Sequence, residues 1–413
     1  MSPQTLGMGP SKGAMLIQRA RNILANNNIV SIEIKDEDTI EVQVKRVDRA
    51  IKKSVANMFD VLVSGWGNAA IETRGNTLIL KRRSPKFDKV LQKAKELQEI
   101  FEAKKIEERE KLGIYLPEDE LIEFARERGF EGFWRNVFQE IQGNEVMKKA
   151  IATSMFSSFE EPVHTLIIGE PGSSKTMAKE IISERFTDIV NVGANTTRSG
   201  LVCNLGTGDL GVLPHAHQKI VLVDEFDKIP EEDIEYCYEL LSNGKCSVHS
   251  AKIHQNITSN FIMIAFANPK TKVFTRNAVD EIGLSPLLVS RCALIVRVKN
   301  IGREDRINLF LRKFYQDGEI QEKHEYYDQW VRLSRTYHPE ITASKNVVER
   351  YIREMNDIVE KYYSTNLRRD LRMADYIRRI PMAIARASFS PVDDKVVEES
   401  ENLIKESIQT WFE

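Results

Sequence analysis

No two cysteines in this 413-residue chain are spaced as C-x-x-C; the four present, Cys203, Cys237, Cys246 and Cys292, are scattered over about ninety positions. That excludes zinc ribbons and thioredoxin-type redox motifs, and points to reduced thiols in a cytoplasmic protein. Long apolar runs are missing as well. The most apolar stretches, residues 261–267 and 220–223, fall far short of the roughly 18 residues a membrane span needs, and the N-terminus lacks a secretory hydrophobic segment, so no membrane partner is expected. Nor is there an excess of charge: 59 basic residues face 61 acidic ones, a formal net charge of −2, so affinity for nucleic acid has to come from local patches. Internal repeats and low-complexity tracts are absent. At this length two or three domains are expected, because single cores stop growing at roughly 250 to 300 residues.

What is present divides the chain. Residues 1–84 read as a small α+β domain: a loose start, a helix over residues 11–25, then alternation through Val30, Ile32 and Ile34 and through Ile40, Val42 and Val44, with a Gly75-Asn76 turn between two later runs. Residues 85–130 read as a charged helical linker, with Val90, Leu91, Ala94, Leu97, Ile100 and Phe101 at helical spacing. Amphipathic segments over residues 117–128 and 133–156 lead into 131–300, where short apolar runs alternate with helices, the pattern of a parallel sheet with helices on both faces. Residues 301–413 are helical throughout.

Residues 164–168 form a buried-strand signal followed by Gly169, Glu170, Pro171, Gly172, Ser173, Ser174, Lys175 and Thr176, and then by an amphipathic helix. Strand, glycine-bearing loop and helix are the context a P-loop requires. Backbone N–H groups and the helix N-terminus face phosphate oxygens, Lys175 reaches the β- and γ-phosphates of ATP, and Thr176 ligates Mg²⁺. Ser174 stands where the common pattern has glycine. Forty-nine residues after Lys175, the apolar run 220–223 ends in Asp224-Glu225. Asp224 at such a strand tip holds Mg²⁺ and Glu225 polarises the attacking water. A further buried run, 261–267, ends in Asn268, whose amide can hold that water from the other side, and Arg291 stands before a last strand, where one subunit can offer a guanidinium to its neighbour's γ-phosphate.

In this order the elements resemble the AAA+ ATPase core and, within it, the minichromosome maintenance (MCM) helicases. GEPGSSKT is similar to that family's G-D-P-G-x-x-K-[ST], which also lacks the glycine before lysine; Gln142 to Glu145, Asp224 to Ile229, Asn268-Pro269 and Leu288 to Arg291 match it too. The resemblance covers about 270 residues, from Gln142 to the end. It implies an α/β fold, an AAA+ P-loop core with a C-terminal helical lid behind the small N-terminal α+β domain. It also implies sensor-1 duty for Asn268, a trans arginine finger at Arg291, and a sensor-2 arginine at Arg372, with Arg369 as the fallback. The alternating run 246–254 matches the presensor-1 hairpin, whose lysine, here Lys252, touches DNA. Three departures stand out: a front end of about 130 residues without the family's zinc module, a glycine-rich turn at Gly206 to Asp209 in place of the helix-2 insert, and Asn260 where the family carries an arginine.

The preferred expectation is a homo-oligomeric, hexameric ring that hydrolyses ATP with Mg²⁺ and moves on or unwinds DNA, cytoplasmic and nucleoid-associated if prokaryotic. Two other classes stay open: a protein-remodelling ATPase of the MoxR and magnesium-chelatase branch, and an ATP-gated DNA-loading factor. Basic residues of the front end, Lys45-Arg46, Arg49, Lys52, Lys53, Lys81 to Arg83 and Lys86, are candidates for tracking phosphates.

Overall fold

In this computed structural model the described residues are 29–412, apart from 45–46, 60–68, 112, 194–195, 197, 205–206, 208, 250–253, 276, 301, 304–305, 308–309, 312–313 and 315–323. The helix expected over 11–25, the turn glycines Gly206 and Gly208, and Lys252 lie outside them. The chain divides into two units, Met1–Tyr115 and Leu116–Glu413.

In the first unit β1 (Ile29–Asp36), β2 (Thr39–Val44), β3 (Ala69–Arg74) and β4 (Thr77–Arg82) form an antiparallel sheet in the order β1-β2-β4-β3. Alternation sends Ile40, Val42, Val44, Leu78 and Leu80 to one buried face. Helices α1 (Arg49–Met58) and α2 (Phe87–Lys111) cover it with Ile51 and Val55, and with Phe87, Val90, Ala94 and Leu97. Each such side chain contributes roughly 1.5–3 kcal/mol on burial. A one-residue register slip would expose the whole row, so the pairing is firmly set. The charged residues of this sheet are largely matched: Lys35 pairs with Glu33 and Glu41, Lys81 with Glu72, and Arg82 with Asp38 and Asp88. Two members of the basic stretch considered for phosphate tracking are therefore neutralised within their own unit.

The second unit opens with α3 (Glu118–Val137) and α4 (Glu145–Phe156). Gly129, at φ 61° and ψ −172°, kinks α3 where the periodicity places a break, and a further interruption at 138–144, not expected from the sequence, separates α3 from α4. Next come β5 (Thr165–Gly169), α5 (Lys175–Arg185), β6 (Ile189–Val192) and β7 (Ile220–Val223), then the hairpin β8 (Lys245–His249) and β9 (His254–Thr258), then β10 (Ile262–Ala267) and β11 (Leu294–Val298). The sheet order is β11-β5-β10-β7-β6, parallel at every pairing. Strands β5, β7 and β10 are buried at every position, which is why they read as unbroken apolar runs.

Among the described residues four long helices follow: α6 (His324–Ser334), α7 (Lys345–Tyr362), α8 (Met373–Ala387) and α9 (Asp394–Gln409). Trp330 of α6 joins Phe133 and Phe156 of α3 and α4 in an aromatic cluster, and its indole donates to the Ala387 carbonyl at 2.8 Å. Beyond α9, Trp411 Nε1 donates to Ile295 O at 3.1 Å and Thr410 Oγ1 accepts from Arg297 N at 3.0 Å. These contacts close the outer edge of β11 against further strand pairing. Among the described residues no helix is long and apolar enough to cross a membrane.

Candidate functional site

The loop after central strand β5 is held by its own backbone. Gly169 has no room for a side chain, since a Cβ there would meet Ser173 Oγ at 2.5 Å and Val298 O at 3.0 Å. Ser173 in turn donates to Glu170 O at 2.6 Å. Ser174 adopts φ 66°, a left-handed conformation that glycine would take without strain, so this loop keeps its curl with serine at a modest conformational cost. The turn delivers the chain to the N-terminus of α5, where N–H groups without helical partners make a ready anion site.

Lys175 Nζ donates to Glu170 O at 2.9 Å and to Ser173 Oγ at 3.2 Å, and it also contacts Gly169 O. Burial pushes its ammonium down to about 8, against the opposing pull of Asp227, Asp224 and Glu170. Glu170 turns its carboxylate outward, accepting from Phe274 N at 2.9 Å and from Asn300 Nδ2 at 3.1 Å, and so ties the loop to two neighbouring segments.

A cavity of about 510 Å³ is lined by Pro171, Gly172, Ser173, Ser174, Lys175 and Thr176 together with Asp224, Glu225 and Asn268. The structure thus brings the loop, the acidic pair at the end of β7 and the amide at the end of β10 to one place; Gly169 and Glu170 support it from behind. Asp224 accepts the N–H of Glu225 at 3.0 Å and pairs with Lys179, one turn into α5. Glu225 has φ 50°, an uncommon conformation for a non-glycine residue, and contacts Lys228. Asp227 Oδ1 accepts from Asn268 N at 2.7 Å. The roles of Lys179 and Asp227 were not visible in the sequence, because each joins segments about forty or more residues apart.

Arg291 and Arg372 do not line this cavity. Leu294 is in register with Thr165 and Val298 with Gly169, so Arg291, ahead of β11, sits at the opposite end of the sheet from the loop. Four strand steps at roughly 3.3 Å each separate the two ends by about 13 Å. Arg372 lies with Arg291: its Nη1 donates to Ser290 Oγ at 3.2 Å and to Asp370 Oδ2 at 2.7 Å. Burial lowers the pKa of Arg291, and the Arg372 charge lowers it further. Tyr376 donates to Ser290 O at 3.0 Å, and buried Arg369 donates to Cys292 O at 2.8 Å. Arg369 and Arg372, from the segment between α7 and α8, and Tyr376 of α8 therefore grip residues 290–292. Arg369, the fallback for a phosphate-facing role, is only 2% exposed and is committed to that grip.

A parallel sheet ordered β11-β5-β10-β7-β6, with this loop after β5, carboxylates after β7 and an amide after β10, defines an AAA+ P-loop core. Residues 118–309 match the MCM P-loop domain. The chain is 29% identical to the minichromosome maintenance protein MCM of Saccharolobus solfataricus over 192 residues, 41% of this chain and 28% of that protein. It is 26% identical over 230 residues to the DNA replication licensing factor MCM2 of Oryza sativa, 49% of this chain and 23% of the relative. It is also 25% identical over 187 residues to the zygotic DNA replication licensing factor mcm3 of Xenopus tropicalis, 40% and 23% of the two chains. The matched stretches span about a quarter of these relatives' length. Its P-loop region is thus similar to that of the MCM proteins, within the AAA+ type of fold.

Proposed function

We propose that this chain is the ATP-hydrolysing subunit of a ring, of hexameric type, that moves on or unwinds DNA. One observation carries the reading: Lys175, Glu225 and Asn268 share a cavity, whereas Arg291 and Arg372 are presented together at the far end of the same sheet. A site split in this way becomes complete when a second copy brings its arginines to the first copy's loop. Two cations set side by side favour an anion between subunits, and a transferring γ-phosphoryl group develops that charge.

The residues fit a nucleotide with its metal. The cavity volume is in the range of small-ligand sites, and the Thr176 hydroxyl and Asp224 carboxylate both line it. Mg²⁺, when bound, neutralises phosphate charge. Lys175 and the N-terminal N–H groups of α5 bind and orient the phosphates. Glu225 takes up the proton of the attacking water, and Asn268 fixes that water's position. Thr176 and Asp224 are the residues that would hold the metal, with Lys179 paired to Asp224 beside them.

The DNA assignment rests on the relatives, which are named as DNA replication licensing factors, and on the hairpin strands β8 and β9, between which the sequence carries Lys252, a residue outside those described. The ion pairs of Lys81 and Arg82 weaken the case for the front unit as a phosphate tracker; a protein-remodelling ATPase is the second reading. ATPase rate measured with and without single- and double-stranded DNA separates the two. Stimulation by DNA that declines with salt is expected. A rate indifferent to DNA at every ionic strength contradicts the DNA motor. Glu225→Gln should bind ATP and turn it over slowly; full turnover contradicts the catalytic assignment.

A further inference from the structure

The guanidinium of Arg291 is held on several sides. Nε donates to Tyr238 O at 3.1 Å and to Ser242 Oγ at 3.1 Å, and Nη1 donates to Leu287 O. Its central carbon lies 4.2 Å from the centre of the Tyr238 ring. The same tyrosine shares a hydrogen bond with Ser285 Oγ at 2.8 Å. Ser285 caps the short helix Pro286–Val289, and that helix runs directly into Ser290 and Arg291. Tyr238 therefore touches both the working end of the arginine and the base of the segment that carries it, using its carbonyl, its ring face and its hydroxyl. The proposed chemistry gives this tyrosine no part.

We propose that Tyr238 is a positioning residue for Arg291, supporting the guanidinium on its ring face and anchoring the arginine-bearing segment through Ser285. An arginine side chain has many rotamers, and a finger that must meet a phosphate on another subunit loses rate if it has to find its conformation at each encounter. Holding it against a rigid ring moves that ordering from the reaction to folding. The inference rests on the reading of Arg291 as a residue that acts across a subunit boundary.

Three variants test it in the full chain. Tyr238→Leu removes the ring and the hydroxyl and should lower the kcat for ATP roughly 10- to 100-fold while leaving the nucleotide KM within about twofold. Tyr238→Phe keeps the ring and loses the bond to Ser285, so its rate should fall between those of the wild type and Tyr238→Leu. The sharper readout is complementation. A Tyr238→Leu subunit still has a sound loop, so mixing it with Lys175→Ala, which has a sound Arg291, should restore part of the activity. Mixing it with Arg291→Ala should restore none, since every finger in that mixture is defective. Rescue by both partners, or by neither, overturns the positioning role; the second outcome marks Tyr238 as scaffold. Full kcat in Tyr238→Leu while Arg291→Ala is inactive overturns this inference alone. Full activity in Arg291→Ala overturns the underlying reading of Arg291 instead.

Discussion

Asp227 holds Asn268: one carboxylate oxygen accepts the asparagine's backbone N–H at 2.7 Å and lies 3.5 Å from its side-chain nitrogen. The contact ties the turn after β7 to the end of β10, so the acidic pair and the amide share one rigid mounting. Asp227 is also the leading charge that opposes the lowered pKa of Lys175.

From this follows a pH dependence. Lys175 must carry its proton to bind phosphate, and in the folded protein it titrates at about 8. Nucleotide affinity should therefore be full below that pH and fall as pH rises through it, by up to about tenfold per unit. Asp227→Asn removes the main stabiliser of the charged form and should move the fall to lower pH. Titration with a fluorescent ATP analogue from about pH 6.5 to about 9.5 reads both effects. Affinity that stays flat across the range contradicts the burial of Lys175.

His164 gives a second, independent dependence. It is fully buried, with Nδ1 accepting from Met263 N at 3.0 Å and Nε2 facing Leu241 O at 3.2 Å, and burial lowers its pKa to about 4. The folded chain keeps it neutral, whereas the unfolded chain protonates it near 6.5. Stability should be undiminished above pH 6.5 and decline as pH falls toward 4, by up to about 3 kcal/mol from this group. Urea unfolding at pH 7 and pH 5 should show a smaller difference in His164→Asn than in the wild type. Equal differences remove His164 as the cause.

Arg369 and Arg372 stand three residues apart and should fail differently. Arg369→Met removes a buried charge-assisted bond to Cys292 O and should lower unfolding free energy by roughly 1–3 kcal/mol. Arg372→Ala removes a partly exposed pair with Asp370 and a bond to Ser290, so it should cost no more than about 1 kcal/mol and should lower ATPase activity. A stable Arg369→Met together with an unfolded Arg372→Ala reverses the assignment.

That last pair shows where sequence stops being informative. Both arginines sit in one basic cluster before α8, and only the tertiary contact with Cys292 distinguishes the buried one. The strands β5, β7 and β10 were legible because burial on both faces writes an unbroken apolar run, and β2 because burial on one face writes alternation. Strand β6 was not resolved by pattern: it is short, lies at the sheet edge, and carries Asn191 and partly exposed positions. Helix α2 announced its apolar stripe through Val90, Ala94 and Leu97, but not that the stripe covers the first unit's sheet. Tyr238 had no local signal at all, since its partners Arg291 and Ser285 lie about fifty residues further along.

The central claim is that the ATPase site is divided between subunits, with Lys175 at one end of the sheet and Arg291 at the other. Mixing two inactive variants tests it most directly. Lys175→Ala keeps Arg291 and Arg291→Ala keeps a sound loop, so each should be inactive alone, and together they should recover a part of the wild-type ATPase rate that grows with protein concentration. A mixture that stays at zero, or a wild-type rate per chain unchanged on dilution to monomer, contradicts the divided site.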